Sequence, residues 1–251
     1  GFGWLDTTMK FERYGVQLFF VASAITMMMM WKARVDQEVR PALAFYIRRV
    51  FRILPMFWLA IPVYIWVNGL GPQFYAPAGL GGLEIGLTAM TLHGWWPTAF
   101  NSVVPGGWSI AVEMMFYIIF PLIASRLSSY KSISNALILA ALIGAVADAV
   151  AARVLVVYFP ELSNELRSAF LKFWFPHQSV LFLIGIGVFH IWKSEERFSL
   201  NINILLRAII SLVSLYVLLG RGDTLVAIAL AVASLVILRS SNSFWFLPRI
   251  G

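Results

Sequence analysis

Long apolar runs separated by short polar stretches dominate the chain. Runs over 15–31, 53–70, 108–125, 133–152, 173–192, 203–220 and 224–238 each approach the roughly 20 mostly apolar residues that cross a bilayer as a helix. An eighth run, 83–96, is shorter and carries Glu84, His93 and two glycines. That length and composition predict a re-entrant or interfacial piece rather than a span. The pattern predicts an all-α fold, a polytopic transmembrane helix bundle of about seven spans plus one re-entrant segment. No repeat of fixed period is present, and no polar stretch is long enough to carry a soluble core. Residues 1–251 therefore read as a single integral membrane domain. The chain starts at Gly1 rather than Met, with no basic segment of a secretory signal, and ends at Pro248-Arg249-Ile250-Gly251, just past a span. This leads us to expect a piece of a longer chain.

The basic residues orient these spans. Lys32, Arg34, Arg40, Arg48, Arg49 and Arg52 form the first cluster, and Arg126/Lys131, Lys193/Arg197 and Arg239/Arg249 form the next three. With seven spans and a re-entrant 83–96, all four clusters fall on one side, which the positive-inside rule makes cytoplasmic. The stretch 71–107, which contains no Lys or Arg, then faces outward. The Glu113 end of its span faces outward too, opposite the arginines.

Composition changes the picture by exclusion. Only 12% of residues are charged, against about a quarter in soluble domains. The net charge of +7 is spread between apolar segments and marks topology, so no nucleic-acid partner is expected. The absence of cysteine removes thiol catalysis and Cys-based zinc sites. His93, His177 and His190 are not spaced to share a metal, so no metal is expected and no bound cofactor is called for. The run Met27-Met28-Met29-Met30 reads as lipid-facing or core filler. Trp31, Trp66, Trp95, Trp96 and Trp108, with Trp4 and Trp245, fall near span ends, as an aromatic belt would.

Two constellations carry candidate chemistry. Arg48, Arg49 and Arg52 have helical spacings that turn all three toward about one side. Guanidinium forks bind phosphates in pairs of hydrogen bonds; the alternative is a juxtamembrane cluster that fixes orientation. The second constellation runs from Pro105-Gly106-Gly107-Trp108-Ser109 through Glu113 to Phe116-Tyr117. Glu113 lies inside a span with no Lys or Arg within ten residues. A carboxylate there is costly and marks function by default, and desolvation suits it to proton transfer; the alternative is a structural carboxyl bonded to a neighbouring helix. Ser109, four residues before Glu113, shares its face. His93, Asn101 and Trp108 are expected on the same outward side, near a polar substrate. Asp148 reads as lipid-exposed and His177 as an interface residue.

These residues resemble the membrane acyltransferase-3 family, the bacterial O-acetyltransferases of lipopolysaccharide and exopolysaccharide sugars. Tyr14 to Ala24 is similar to the family's G-V-x-L-F-F-V-L-S-G helix. Arg49 and Arg52 meet its R-x-x-R motif. Trp108 to Pro121 resembles W-S-L-x-x-E-x-x-F-Y-x-x-x-P, with Ile110 in place of Leu. Phe182-Leu183-Ile184-Gly185 resembles F-x-x-G. Family members normally begin with a helix carrying a histidine base and end with an L-G-x-x-S-Y-x-x-Y-L-x-H helix. Neither appears in these 251 residues, and none of His93, His177 or His190 stands at the position of that base.

The resemblance implies acyl transfer from acyl-CoA, with acetyl-CoA as the expected donor, to a hydroxyl of a cell-surface carbohydrate or lipid-linked glycan. It implies a multi-pass location in a bacterial inner membrane. Arg48, Arg49 and Arg52 would hold CoA phosphates. Glu113 and Ser109 would be catalytic, and His93, Asn101 and Trp108 would line the acceptor. Two other readings stand beside it. One is a proton-coupled transporter or flippase using Glu113 and Asp148. The other is an inactive, truncated membrane subunit.

Overall fold

The computed structural model of the chain describes the backbone of residues 3–193 and the side chains of residues 15–193. Helix α1 covers Gly3–Arg34, α2 Pro41–Asn68, α3 Gly82–Ala89, α4 Trp108–Arg126, α5 Tyr130–Tyr158, α6 Asn164–Phe173 and α7 Phe175–Lys193, with a 3-10 turn at His93–Trp95. Among the described residues there is no strand, only an isolated bridge between Gln73 and Ala76. The fold is all-helical, as expected.

Five segments are long and apolar enough to cross a membrane: Gly15–Arg34, Pro41–Asn68, Trp108–Arg126, Tyr130–Tyr158 and Asn164–Lys193. The expected spans 203–220 and 224–238, with Arg197, Arg239, Arg249 and Trp245, lie outside the described residues, as does the side chain of Trp4. The run 83–96 is not a span. It holds the eight-residue α3 and the three-residue turn, and eight residues extend only about 12 Å. The expected span 53–70 needs correction, because its helix begins at Pro41. Proline there is suited to a first helical turn, where no intrahelical N–H is needed.

Local chemistry explains several helix ends. Lys32 and Arg34 sit in the last turn of α1, and Arg126 in that of α4, where the helix dipole favours cations. Ser129 and Ser132 cap each other's backbone N–H groups before α5, at 3.2 Å each. Ser163 accepts from Leu166 N–H at 3.2 Å to start α6. Trp174 is extended, which ends α6, and Pro176 follows in the first turn of α7.

By its internal contacts the chain divides into two compact units, Gly1–Pro41 with Leu122–Ala141 and Val180–Gly251, and Ala42–Pro121 with Leu142–Ser179. In the first, Phe20, Val21, Ala24, Met27 and Met28 of α1 are buried. The methionine run is thus core filler at two of its four positions. Phe20 stacks on Phe182 with centroids 4.8 Å apart. A Cβ on Gly185 would run into the Val21 carbonyl oxygen and the Ala24 side chain. Only glycine lets the two helices come this close, a common device in membrane helix packing. The F-x-x-G element is therefore a packing element seated on α1.

In the second unit, α2 exposes most of its apolar surface, Trp66 at 86% and Met56 at 70%. Such a face suits lipid and not water. Its buried edge packs Phe57 and Ile61 with Ala76, Leu80, Val103 and Val104, so the polar stretch after α2 folds back over that end of the helix. Gly79 makes the turn at φ +89, and a Cβ there would lie 2.7 Å from the Leu70 carbonyl. The Trp58 indole N–H donates to Ala89 O at 2.9 Å, tying α3 to α2.

Candidate active site

Arg48, Arg49, Arg52, His93, Asn101, Trp108, Ser109 and Glu113 all fall in the second unit. Helix α2 is the spine. Near its start, Phe45 stacks on Phe120 of α4 at 4.9 Å and Tyr46 O–H donates to Ile118 O at 2.7 Å. Further along, Phe57 stacks on His93 at 5.5 Å. The two helices therefore run antiparallel and in register.

That register corrects the expected separation of the arginines from Glu113. Arg49 is buried, 4% exposed, eight residues inside α2, or about 12 Å along it. Its guanidinium lies over the rings of Phe45 at 5.5 Å and Tyr117 at 5.3 Å. Tyr117 O–H in turn donates to the Glu113 carboxylate. Glu113 is 3% exposed. Arg49 and Glu113 thus meet on the two aspects of one tyrosine, cation on the ring face and carboxylate on the hydroxyl. A desolvated cation over an aromatic face contributes about 2 kcal/mol or more, and hydrogen-bond chains in low dielectric polarise one another. The placement of the arginines at one surface and Glu113 near the other failed because α2 starts twelve residues earlier than the hydropathy run.

The three arginines also do not act as one face. Arg48 is half-buried and Arg52 is exposed. Arg49 reaches the aromatic pair.

The loop before α4 has its own order. Asn101 Oδ1 accepts from Gly106 N–H at 2.7 Å, across a turn that Gly106 makes at φ +79. Ser109 Oγ donates to Gly106 O at 2.9 Å, so its hydroxyl caps the turn rather than joining Glu113. Trp108 is buried and packs on Phe173 at 4.4 Å. His93 is 1% exposed, and its Nε2 lies 2.9 Å from Gly107 O. A carbonyl only accepts, so Nε2 carries the proton. His93 therefore serves Gly107 and not Glu113. Burial holds its pKa below the usual histidine value, partly opposed by the Gly107 and Leu87 carbonyls. The fit is tight on both sides: a Cβ on Gly94 would lie 2.8 Å from Ala111 Cβ, and one on Gly107 2.8 Å from Val104 O.

Asp148 is a correction. It is 6% exposed, not lipid-facing. Trp174 Nε1 donates to its Oδ1 at 2.5 Å, and His177 Nδ1 to its Oδ2 at 3.0 Å. No sequence signal joins residues 26 and 29 positions apart. Tyr117 and Phe45 were legible in principle, since each is four residues from its partner on the same helix. Among the described residues no group of three or more His, Asp or Glu is placed to hold a metal ion.

The family model of an acyltransferase domain, that of acyltransferase 3, matches residues 1–250. The chain belongs to the acyltransferase-3 family. It is an acyltransferase of the membrane. No curated protein and no solved structure matches it. Two acyltransferase-3 motifs seen in the sequence, R-x-x-R and W-S-x-x-x-E-x-x-F-Y, come together at Arg49, Tyr117 and Glu113.

Proposed function

We propose that this acyltransferase moves an acyl group, acetyl in the first instance, from acyl-CoA to a hydroxyl of a cell-surface carbohydrate at a bacterial inner membrane. The observation that carries the reading is the Arg49–Tyr117–Glu113 assembly, which joins the arginine motif to the carboxylate within one unit. Arg52, exposed on the same helix, and Arg48 beside it hold the phosphates of the donor; Arg49 holds Tyr117 in place. Glu113 protonates the leaving thiolate, and Tyr117 O–H stabilises the carboxylate left behind. His93, Asn101 and Trp108 build the wall of the acceptor side by fixing the loop against α4.

The test is formation of labelled ester from labelled acetyl-CoA and an alkyl glucoside, by the full chain in lipid nanodiscs. Glu113→Gln keeps the shape and removes the transferable proton, so ester formation is lost with folding intact. Glu113→Asp retains little, since a misplacement near 1 Å can cost on the order of 10²-fold. Wild-type rates in Glu113→Gln would remove Glu113 from the mechanism.

A further inference from the structure

We propose that one end of the first unit binds the phosphate of an anionic phospholipid, in a basic site built by α1, α7 and the turn that joins α4 to α5. The site is independent of the acyl-transfer reading, since all of its residues belong to the first unit. His190, three residues before the end of α7, marks where the elements converge. The Lys32 ammonium of α1 acts electrostatically on its ring, and the Leu127 carbonyl of the turn faces the same ring. The His190 carbonyl accepts from Tyr130 O–H at 3.3 Å. Each of these contacts brings a cation with it. Arg126 precedes Leu127, Lys131 follows Tyr130, and Lys193 lies three residues on from His190, on the same helix face.

These charges are not neutralised from within. Lys32, Arg126, Lys131 and Lys193 are all exposed, and none forms an ion pair among the described residues. With Arg34 and Arg40 they make six cations among the described side chains of the unit, against the two carboxylates of Asp36 and Glu38. The group beside Lys32 is an imidazole whose Nε2 is buried without a hydrogen-bonding partner among the described residues. An imidazole cannot balance an ammonium.

Helix stability accounts for three of the four cations and not for the fourth. Lys32, Arg126 and Lys193 stand in last helical turns, where the dipole favours a cation whatever its partner. Lys131 stands in the first turn of α5, where the dipole opposes it. A bound anion reverses that opposition, because the N-terminus of α5 and the Lys131 ammonium then attract the same phosphate.

The apolar neighbours of the cations favour a lipid as the source of that phosphate. Leu122, one turn before Arg126 on α4, is 56% exposed, and Ile138, two turns after Lys131 on the same face of α5, is 43% exposed. A phosphate attached to acyl chains meets the cations and these side chains together. The positive-inside rule puts this end at the cytoplasmic leaflet, where anionic lipids supply a negative surface and basic pockets between helices take their head groups.

The experiment uses the full chain in an uncharged detergent. Exposed lysines are acetylated with an N-hydroxysuccinimide ester and mapped by mass spectrometry. Mixed micelles of phosphatidylglycerol are expected to slow labelling of Lys32, Lys131 and Lys193 by about five-fold or more relative to phosphatidylcholine, and to leave Lys172 of the second unit unchanged. Equal labelling in the two lipids would overturn the proposal. Equal protection by inorganic phosphate, or by CoA, would assign the site to a soluble phosphate and overturn the lipid. Retention of phosphatidylglycerol, read by native mass spectrometry, is expected to fall about five-fold in Lys131→Gln, to persist in Lys131→Arg, and to persist in Arg153→Gln, which removes a charge outside the unit. Wild-type retention in Lys131→Gln, or an equal fall in Arg153→Gln, would also overturn the site. The labelling needs no variant, so it decides the proposal even where Lys131→Gln does not fold.

Discussion

Tyr117→Phe isolates one hydroxyl. The ring that carries Arg49 at 5.3 Å and meets Phe45 edge-on at 6.0 Å stays in place. Only the O–H donated to Glu113 is removed. A hydrogen bond to a charged group is worth about 1.5–3 kcal/mol, and in the proposed mechanism it counts most once Glu113 has passed a proton to the thiolate. At about 1.36 kcal/mol per factor of ten, kcat/KM should fall by roughly 10- to 150-fold. The donor's KM should stay unchanged, because Arg48 and Arg52, the arginines proposed to hold its phosphates, are untouched. Stability should fall by less than the activity does, since Phe fills the same volume beside Phe45. The assay is ester formation in nanodiscs, with thermal unfolding followed by intrinsic tryptophan fluorescence on the same preparations. A Tyr117→Phe protein with wild-type kcat/KM would show that the tyrosine merely packs. A large loss accompanied by an equally large drop in melting temperature would also refute the reasoning, because it would assign the hydroxyl to folding.

Three further outcomes follow from the geometry. His93 has a pKa held below 6.5 by burial, so the folded state prefers the neutral ring. Its stabilising contribution is complete above about pH 6.5 and declines as the pH falls toward the lowered folded value; melting temperatures should show an acid limb there in wild type and a shallower one in His93→Gln. Gly185→Ala should lower thermal stability by about 1–3 kcal/mol, because the Val21 carbonyl and Ala24 cannot yield to the added methyl; a rise in melting temperature would refute the close approach. Reporter fusions after Arg40, Lys131 and Lys193 should read cytoplasmic and one at Gly79 external, and a cytoplasmic signal at Gly79 would reverse the orientation.

The elements with one strong signal were legible in the sequence. The apolar run of α4 and its start at Trp108 followed from hydropathy and from the glycines before it. The failure of 83–96 to span followed from its length. The start of α2 was hidden, because Arg48, Arg49 and Arg52 interrupt the hydropathy that marks a span. The arginines in fact lie within the helix, and Arg49 is accommodated there by Phe45 and Tyr117. Glu113 was visible as a carboxylate among apolar residues. Its link to Arg49 was not, since it depends on the register of α2 against α4. The Asp148–His177 bond was invisible for the same reason: it is made by helices meeting at Gly144, and no local spacing encodes that.

Glu84 has a consequence for what can be recognised at the loop. Its Oε2 accepts from Gly81 N–H at 3.0 Å and its Oε1 from Thr98 Oγ at 2.8 Å. It is the only formally charged side chain between Gly71 and Gly107, and both its oxygens are engaged in holding the loop's own shape. The segment therefore presents a guest with ring faces, such as Phe74 and Trp95, with amides and with hydroxyls, but no uncommitted ion. If this loop takes the proposed acceptor, selection there is by outline and stacking. Such selection suits an uncharged sugar ring, and dissolved salt, which weakens contacts between exposed ions within about 10 Å at 0.1 M, has almost nothing in this segment to screen.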